Sequence, residues 1–169
     1  MTGSNRAPIL LAGIGNPDRG DDGFGPAVAN RLRGSLPDGV RILERNSDVL
    51  ALIDEWNGCF AVVLVDAAAP VSRPGRIHRL DLTSQPLSVG LERSSTHAFG
   101  IAEAVELARN LDRLPPHLIA YLVEGERFEI GAALSQRVAE TVDRVAERIL
   151  REISLLSAAC RAAGAAEHA

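Results

Sequence analysis

A chain of 169 residues is one domain's length, and 46% apolar with 24% charged residues is an ordinary balance for a globular protein. The net charge of −4, with no basic stripe, excludes a nucleic-acid binder. All 18 basic residues are arginine, which excludes Schiff-base lysine chemistry, a phosphate-loop lysine and a Ser-Lys dyad.

The N-terminus, Met1 to Arg6, is too polar for a signal peptide, and no segment has the roughly 18 apolar residues of a membrane span. A cytoplasmic protein is expected. Cys59 and Cys160 form no Cys-x-x-Cys, so neither a disulfide framework nor a thiolate zinc site is expected.

The chain alternates strand-like and helix-like segments. Residues 8–14 read as a buried strand that empties into Gly13-Ile14-Gly15-Asn16-Pro17-Asp18-Arg19-Gly20-Asp21-Asp22-Gly23-Phe24-Gly25. Residues 22–34 read as a helix with Phe24, Val28 and Leu32 on one face, capped by Asp21 or Asp22. Val40 to Leu43 is a half-buried strand. Residues 48–57 are a short helix capped by Ser47 or Asp48.

The continuous apolar run Phe60 to Val65 is a central parallel strand, and it closes in Asp66. Gly75 to Leu80 alternates and reads as an edge strand, with an antiparallel direction suggested by the loop before it. Residues 84–96 are loop-like. Residues 97–111 are helical with Ile101, Val105 and Ala108 in register. Leu118 to Val123 is the last buried strand. Residues 135–157 are one long amphipathic helix with Val138, Val142, Val145, Ile149, Ile153 and Leu156 inward.

This order predicts a single α/β domain over 1–157. It has three layers, α/β/α, around a twisted, mostly parallel sheet of about five strands. The Ala-rich residues 158–169 are expected to be a disordered tail.

Three polar residues stand where an open α/β sheet places ligands, beyond the carboxyl ends of its strands. Asp22 either caps the first helix or projects into the crevice, and Asp21 takes the other part. Asp66, after six apolar residues, cannot point into the core without a partner. It either caps a turn or lines the crevice. His97, at a helix start, is either hydrogen-bonded to its loop or part of the site. His78 and His117 read as surface positions.

Two carboxylates and one imidazole suit a divalent metal with open coordination positions. Histidine binds as the neutral ring, so such affinity falls below about pH 6.5. Other chemistries lack their residues. The third position of a dinucleotide fingerprint is Asp18, and Gly-x-Ser-x-Gly and His-Glu-x-x-His are absent.

Four segments in order resemble the hydrogenase maturation proteases. These are Gly13-x-Gly15-Asn16 with Asp21-Asp22-Gly23-x-Gly25; the apolar strand closing in Asp66-Ala67; Ser95-Thr96-His97-Ala98-Phe99-Gly100; and Glu124-Gly125-Glu126-x-Phe128-x-x-Gly131-x-x-Leu134-Ser135. The resemblance covers roughly residues 8 to 150.

It implies an endopeptidase that trims the C-terminus of the nickel–iron hydrogenase large-subunit precursor. It also implies that Asp22, Asp66 and His97 form a catalytic, metal-recognising trio. No permanently bound cofactor is implied. The ion engaging the site is Ni²⁺ carried by the substrate, and other divalent ions can occupy it. The expected state is a monomer or weak homodimer.

Two departures stand out. Many members carry an acid and two glycines after the second strand, where this chain has Glu44-Arg45-Asn46. That makes the loop stiffer and more basic, with Glu44 keeping the acidic role. Many also have proline where this chain has Gln136. Two other readings use the same trio: a nickel-recognising chaperone of the precursor that does not cut, and a small metal-dependent hydrolase.

Overall fold

The computed structural model describes residues 8–45, 48, 50–84 and 96–166, except the side chains of 96–99. Five strands alternate with helices: β1 Ile9–Ile14, α1 Phe24–Leu32, β2 Val40–Arg45, α2 Leu52–Trp56, β3 Ala61–Ala68, β4 Ile77–Asp81, α3 Thr96–Asn110, β5 His117–Glu124, α4 Gln136–Ala139 and α5 Val142–Ala166. The sheet order is β2-β1-β3-β5-β4. All neighbours are parallel except β4 with β5.

β1 and β3 are buried along their whole length, as their near-continuous apolar runs require of strands covered on both faces. Alternation divides their side chains between two cores. Leu10, Ala12, Ile14, Val62, Leu64 and Ala68 join α2 and α3. Ile9, Leu11, Val63, Val65 and Ala67 join α1 and α5. On the second side Tyr121 donates to Glu152 at 2.6 Å, and Arg79 grips the same carboxylate through two nitrogens. Burial followed by that contact pushes the Tyr121 phenol up to about 12.

The connection from β1 to β2 runs to one side of β1 and that from β2 to β3 to the other. The crevice at the carboxyl ends of β1 and β3 is therefore the topological switch point. α1 lies directly over it. A Cβ on Gly25 would sit 2.3 Å from the Ile14 carbonyl oxygen and 2.4 Å from that of Val65, so only glycine lets the helix approach this closely.

Several expectations are corrected. The edge strand starts at Ile77, two residues later than read, but is antiparallel as read. The helix expected over 48–57 is only Leu52–Trp56, and Asp48 accepts the Ala51 N–H at 3.0 Å ahead of it. Ser47 lies outside the described residues. The helix expected over 135–157 is broken. Buried Thr141 donates its hydroxyl to the Val138 carbonyl at 2.7 Å, ending α4, and its own carbonyl starts α5.

α5 then runs through the Ala-rich segment to Ala166 as exposed helix, where a disordered tail is expected from Ala158. The loop over 84–96 lies almost wholly outside the described residues. Among those described, no helix is long and apolar enough to cross a membrane.

Gly25→Ala forces α1 off the strand ends. Overpacking of this kind costs about 1–3 kcal/mol. Urea unfolding of the variant measures it, and an unchanged midpoint contradicts the close approach.

Candidate functional site at the carboxyl ends of β1 and β3

After β1 the chain turns back on itself. Gly15 has φ +126°, and a Cβ there would lie 1.8 Å from the carbonyl oxygen of Asp22. Glycine is required both for the conformation and for the contact. The turn ends in one 3-10 turn, Gly20–Gly23, which packs against β3.

Neither acid caps a helix by its side chain, contrary to the expectation for α1. Both are buried and each has another task. Asp21 Oδ2 accepts the Glu126 N–H at 2.7 Å, the Arg127 N–H at 3.1 Å and the Ser135 hydroxyl at 2.8 Å. Its Oδ1 accepts the Ser135 N–H at 2.6 Å. Backbone bonds from Gly20 to Ala132, from Asp21 to Arg127 and from Gly131 to Asp18 complete the zipper. Asp21 thus fastens the first motif to the fourth.

Asp22 is 4% exposed, and its Oδ2 accepts the Asn16 N–H at 2.9 Å. This holds the carboxylate against the end of β1. Asp66 is fully buried in β3 and accepts the Ala67 N–H at 2.8 Å. The strand does not end at this acid but continues to Ala68. By alternation with Leu64 and Ala68, Asp66 belongs to the α3 face. Gly13 pairs with Val65, so Asp66 stands one residue further on, level with Ile14. The two predicted carboxylates are brought to adjacent strand ends across the switch point.

His97 is the second residue of α3, a helix that packs against β3. Its side chain lies outside the described residues. Among the described residues no three potential ligands cluster.

Two grooves open on the β2 side of the glycine turn. The larger, about 520 Å³, runs between Pro17, Pro26, Asn30, Leu134 and the Arg33–Glu44 ion pair. The smaller, about 260 Å³, shares Pro17, Pro26 and Glu44 and adds Gly15 and Arg45. Glu44 therefore keeps an acidic group at the groove. Arg45 lines the smaller groove while its guanidinium bonds Glu55, which Arg41 also holds. The Arg41 contact foremost, against the cost of burial, holds the Glu55 carboxyl below its usual range.

Sequence reasoning missed Glu124. It is fully buried at the end of β5, one strand over from Ala68. It accepts N–H groups from Val71, Ser72 and Arg73, the Ser72 hydroxyl, and His78 Nε2 at 2.7 Å. Burial opposes its charge, but the Ser72 amide, the His78 ring and the amides of Arg73 and Val71 outweigh it. They hold the carboxyl down to about 2. The signal that picks out Asp66, an acid closing a buried apolar strand, also marks Glu124. His78 is accordingly no surface residue, since its side chain is only 19% exposed. His117 is exposed and rests on Phe60, with ring centroids 4.9 Å apart.

Comparison with known proteins gives one family. Residues 26–152 match the hydrogenase maturation protease family, HycI. The matched span includes Asp66, His97 and Glu124 and begins just after the glycine turn. A Methanocaldococcus jannaschii protein described as a hydrogenase maturation protease is 31% identical over 153 residues, covering 86% of this chain and 96% of that one. The hydrogenase expression/formation protein HoxM of Azotobacter vinelandii is 29% identical over 94% of this chain and 78% of its own. In three dimensions the hydrogenase maturating endopeptidase HybD from E. coli superposes with TM-score 0.73 at 22% identity, over 86% of this chain and 91% of that one.

Two outcomes follow from the buried acids. Asp21→Ala leaves the donors of 126, 127 and 135 without their charged acceptor, each such bond contributing about 1.5–3 kcal/mol. The variant should lose several kcal/mol in urea unfolding and hydrogen-exchange protection at 126–135 first. Glu124 has a folded pKa below its ordinary 4.5. Its stabilisation is full above that value and is lost as pH falls from about 4.5 toward about 2. Glu124→Gln should flatten the stability–pH curve in that window. A slope equal to the parent's contradicts the assignment.

Proposed function

This chain belongs to the hydrogenase maturation protease family, a family of peptidases, and from that premise we propose its reaction. It removes the C-terminal extension from a nickel–iron hydrogenase large-subunit precursor that already carries its nickel. Asp22, Asp66 and His97 recognise that nickel. The ion arrives with the substrate and is not a resident cofactor. The reaction belongs in the cytoplasm.

One observation carries this reading. Two buried carboxylates, Asp22 and Asp66, stand at the ends of adjacent parallel strands across the switch point. Two carboxylates set at one low-dielectric crevice repel one another, and holding both ionised there costs free energy. A divalent cation relieves that cost, and carboxylate oxygens with imidazole nitrogen are a donor set that takes one. Asp66 faces the side of the sheet where α3 begins with Thr96 and His97.

The division of labour follows from the anchoring. Asn16 fixes the Asp22 carboxylate through its N–H, and the Ala67 N–H does the same for Asp66. Both oxygens are oriented before substrate arrives, so binding need not order them. Docking of the precursor's nickel on the trio sets its C-terminal segment beside the site. Substrate nickel supplies Lewis acidity there. A precursor without nickel lacks the contact that holds it, so recognition also acts as a checkpoint.

Asp22→Ala tests this directly. Mass spectrometry of precursor incubated with the variant should show processing slowed by about 100-fold or more. Circular dichroism should stay close to the parent's, and the unfolding midpoint should fall less than for Asp21→Ala, since Asp21 carries the bonds to the loop after β5. Cleavage at the parent rate contradicts the assignment. Stable binding of uncut precursor by the parent protein would instead identify a chaperone.

A further inference from the structure

We propose that Arg45 is a specificity residue that reads the extension to be cut away. Its guanidinium takes an acidic side chain of the precursor, about three residues of extended chain from the nickel-bearing position. The extension lies in the groove that leads from the candidate site to the end of β2. This rests on the reading of the chain as a precursor protease and names a substrate feature which that reading leaves open.

The two grooves share Pro17, Pro26 and Glu44, so they form one trough. The turn that carries Asp22 is its wall. Gly23, next in the chain, lines the larger part, and Gly15 lines the smaller. A Cβ on Gly15 would lie 3.4 Å from Asp22 Oδ1. One glycine therefore parts the trough from the proposed nickel site. Pro17, Pro26, Ala27 and Leu134 give it apolar walls. A free chain end can enter such a trough, and in a precursor held by its nickel that end is the extension.

The sheet sets the spacing. Arg45 pairs with Ile14 on one side of β1, and Asp66 stands level with Ile14 on the other. By alternation all three belong to the face that α2 and α3 cover, and Arg45 bonds Glu55 of α2 there. Neighbouring strands lie about 4.8 Å apart, so the backbones of Arg45 and Asp66 are about 10 Å apart. Extended chain advances about 3.3 Å per residue, so about three residues span that gap.

Charge selects an acid. At Glu55 two guanidinium groups meet one carboxylate, Arg41 at 2.8 Å and Arg45 at 2.7 Å. Glu44, the acid of the trough itself, is engaged by Arg33. One positive charge is therefore left over at this rim. Arg45 gives Nη2 to Glu55, while its Nε has no acceptor among the described residues. The side chain is 40% exposed and lines the smaller groove. A carboxylate is the partner that a guanidinium fork binds best. The trough thus runs from two buried carboxylates to a surplus cation, and the matching substrate is a divalent cation followed by an anion. Many members have glycine at this position, so the selection is particular to this chain.

The test is steady-state kinetics on nickel-loaded precursor in two forms, unaltered and with the acids of its extension changed to their amides. The parent protein is compared with Arg45→Ala and Arg45→Lys. With unaltered precursor, Arg45→Ala should raise KM about tenfold with kcat little changed, the pattern of a lost binding contact. Arg45→Lys should recover part of that loss, because it keeps the charge without the paired donors. The amide precursor should raise KM about tenfold for the parent and no further for Arg45→Ala. A merely structural role for Arg45 would instead add its loss to that of the amide precursor.

Parent-like KM for Arg45→Ala overturns the proposal, as do losses from the two changes that add. So does a parent protein that trims the amide precursor with unaltered KM, a result that needs no variant to fold. A trimmed precursor with no acid in the first several residues of its extension contradicts it as well. Failure of the parent protein to cut any nickel-loaded precursor overturns the functional reading, and this inference with it.

Discussion

The carboxylate of Asp21 is withdrawn from solvent and satisfied by groups more than 100 residues away in the chain. Without Glu126, Arg127 and Ser135 it would be an unpaired buried charge, several kcal/mol too costly to keep. With them it is a bolt between the glycine turn after β1 and the loop after β5. That bolt fixes where the 3-10 turn ends, and so where Asp22 lies. Gly15 does the rest by admitting the Asp22 carbonyl to a distance that no side chain tolerates. Two adjacent acids therefore have separate duties, Asp21 in holding the turn and Asp22 in the proposed site.

The same device recurs across the sheet. Glu124 closes β5 as Asp66 sits near the close of β3, and it fastens the crossover between β3 and β4. Two loops at the carboxyl end of the sheet are thus secured by buried carboxylates, one at each side of the crevice. Loops are ordinarily the mobile part of an α/β site. Here charge-assisted hydrogen bonds to backbone amides make them rigid. The acids proposed to meet nickel stand between these anchored loops.

Much of this was legible in the residues. Continuous apolar runs marked β1, β3 and β5, and the alternating run marked the antiparallel edge, because burial on one face or two leaves different periodicities. The acids after the β1 and β3 runs, Asp22 and Asp66, read as crevice candidates, and both lie buried at the carboxyl ends of those strands. Pairings across long sequence distances were not legible. Asp21 with Ser135 and Glu124 with Ser72 or His78 depend on strand order, which no local pattern contains.

That is why one of Asp21 and Asp22 reads as a helix cap, where Asp21 instead faces the loop after β5. It is also why His78 read as a surface residue. The break at Thr141 was hidden for another reason. A buried hydroxyl interrupts a helix without altering its apolar period. The position of His97 on α3 follows the expectation, while its side chain lies outside the described residues.

The central claim is that nickel in the substrate, and not the polypeptide alone, admits the precursor to the cut. Incubating the protein with nickel-loaded and nickel-free precursor, and weighing both products by mass spectrometry, tests it directly. Loss of the C-terminal peptide from the loaded precursor only is the predicted result. Equal trimming of both precursors would contradict it.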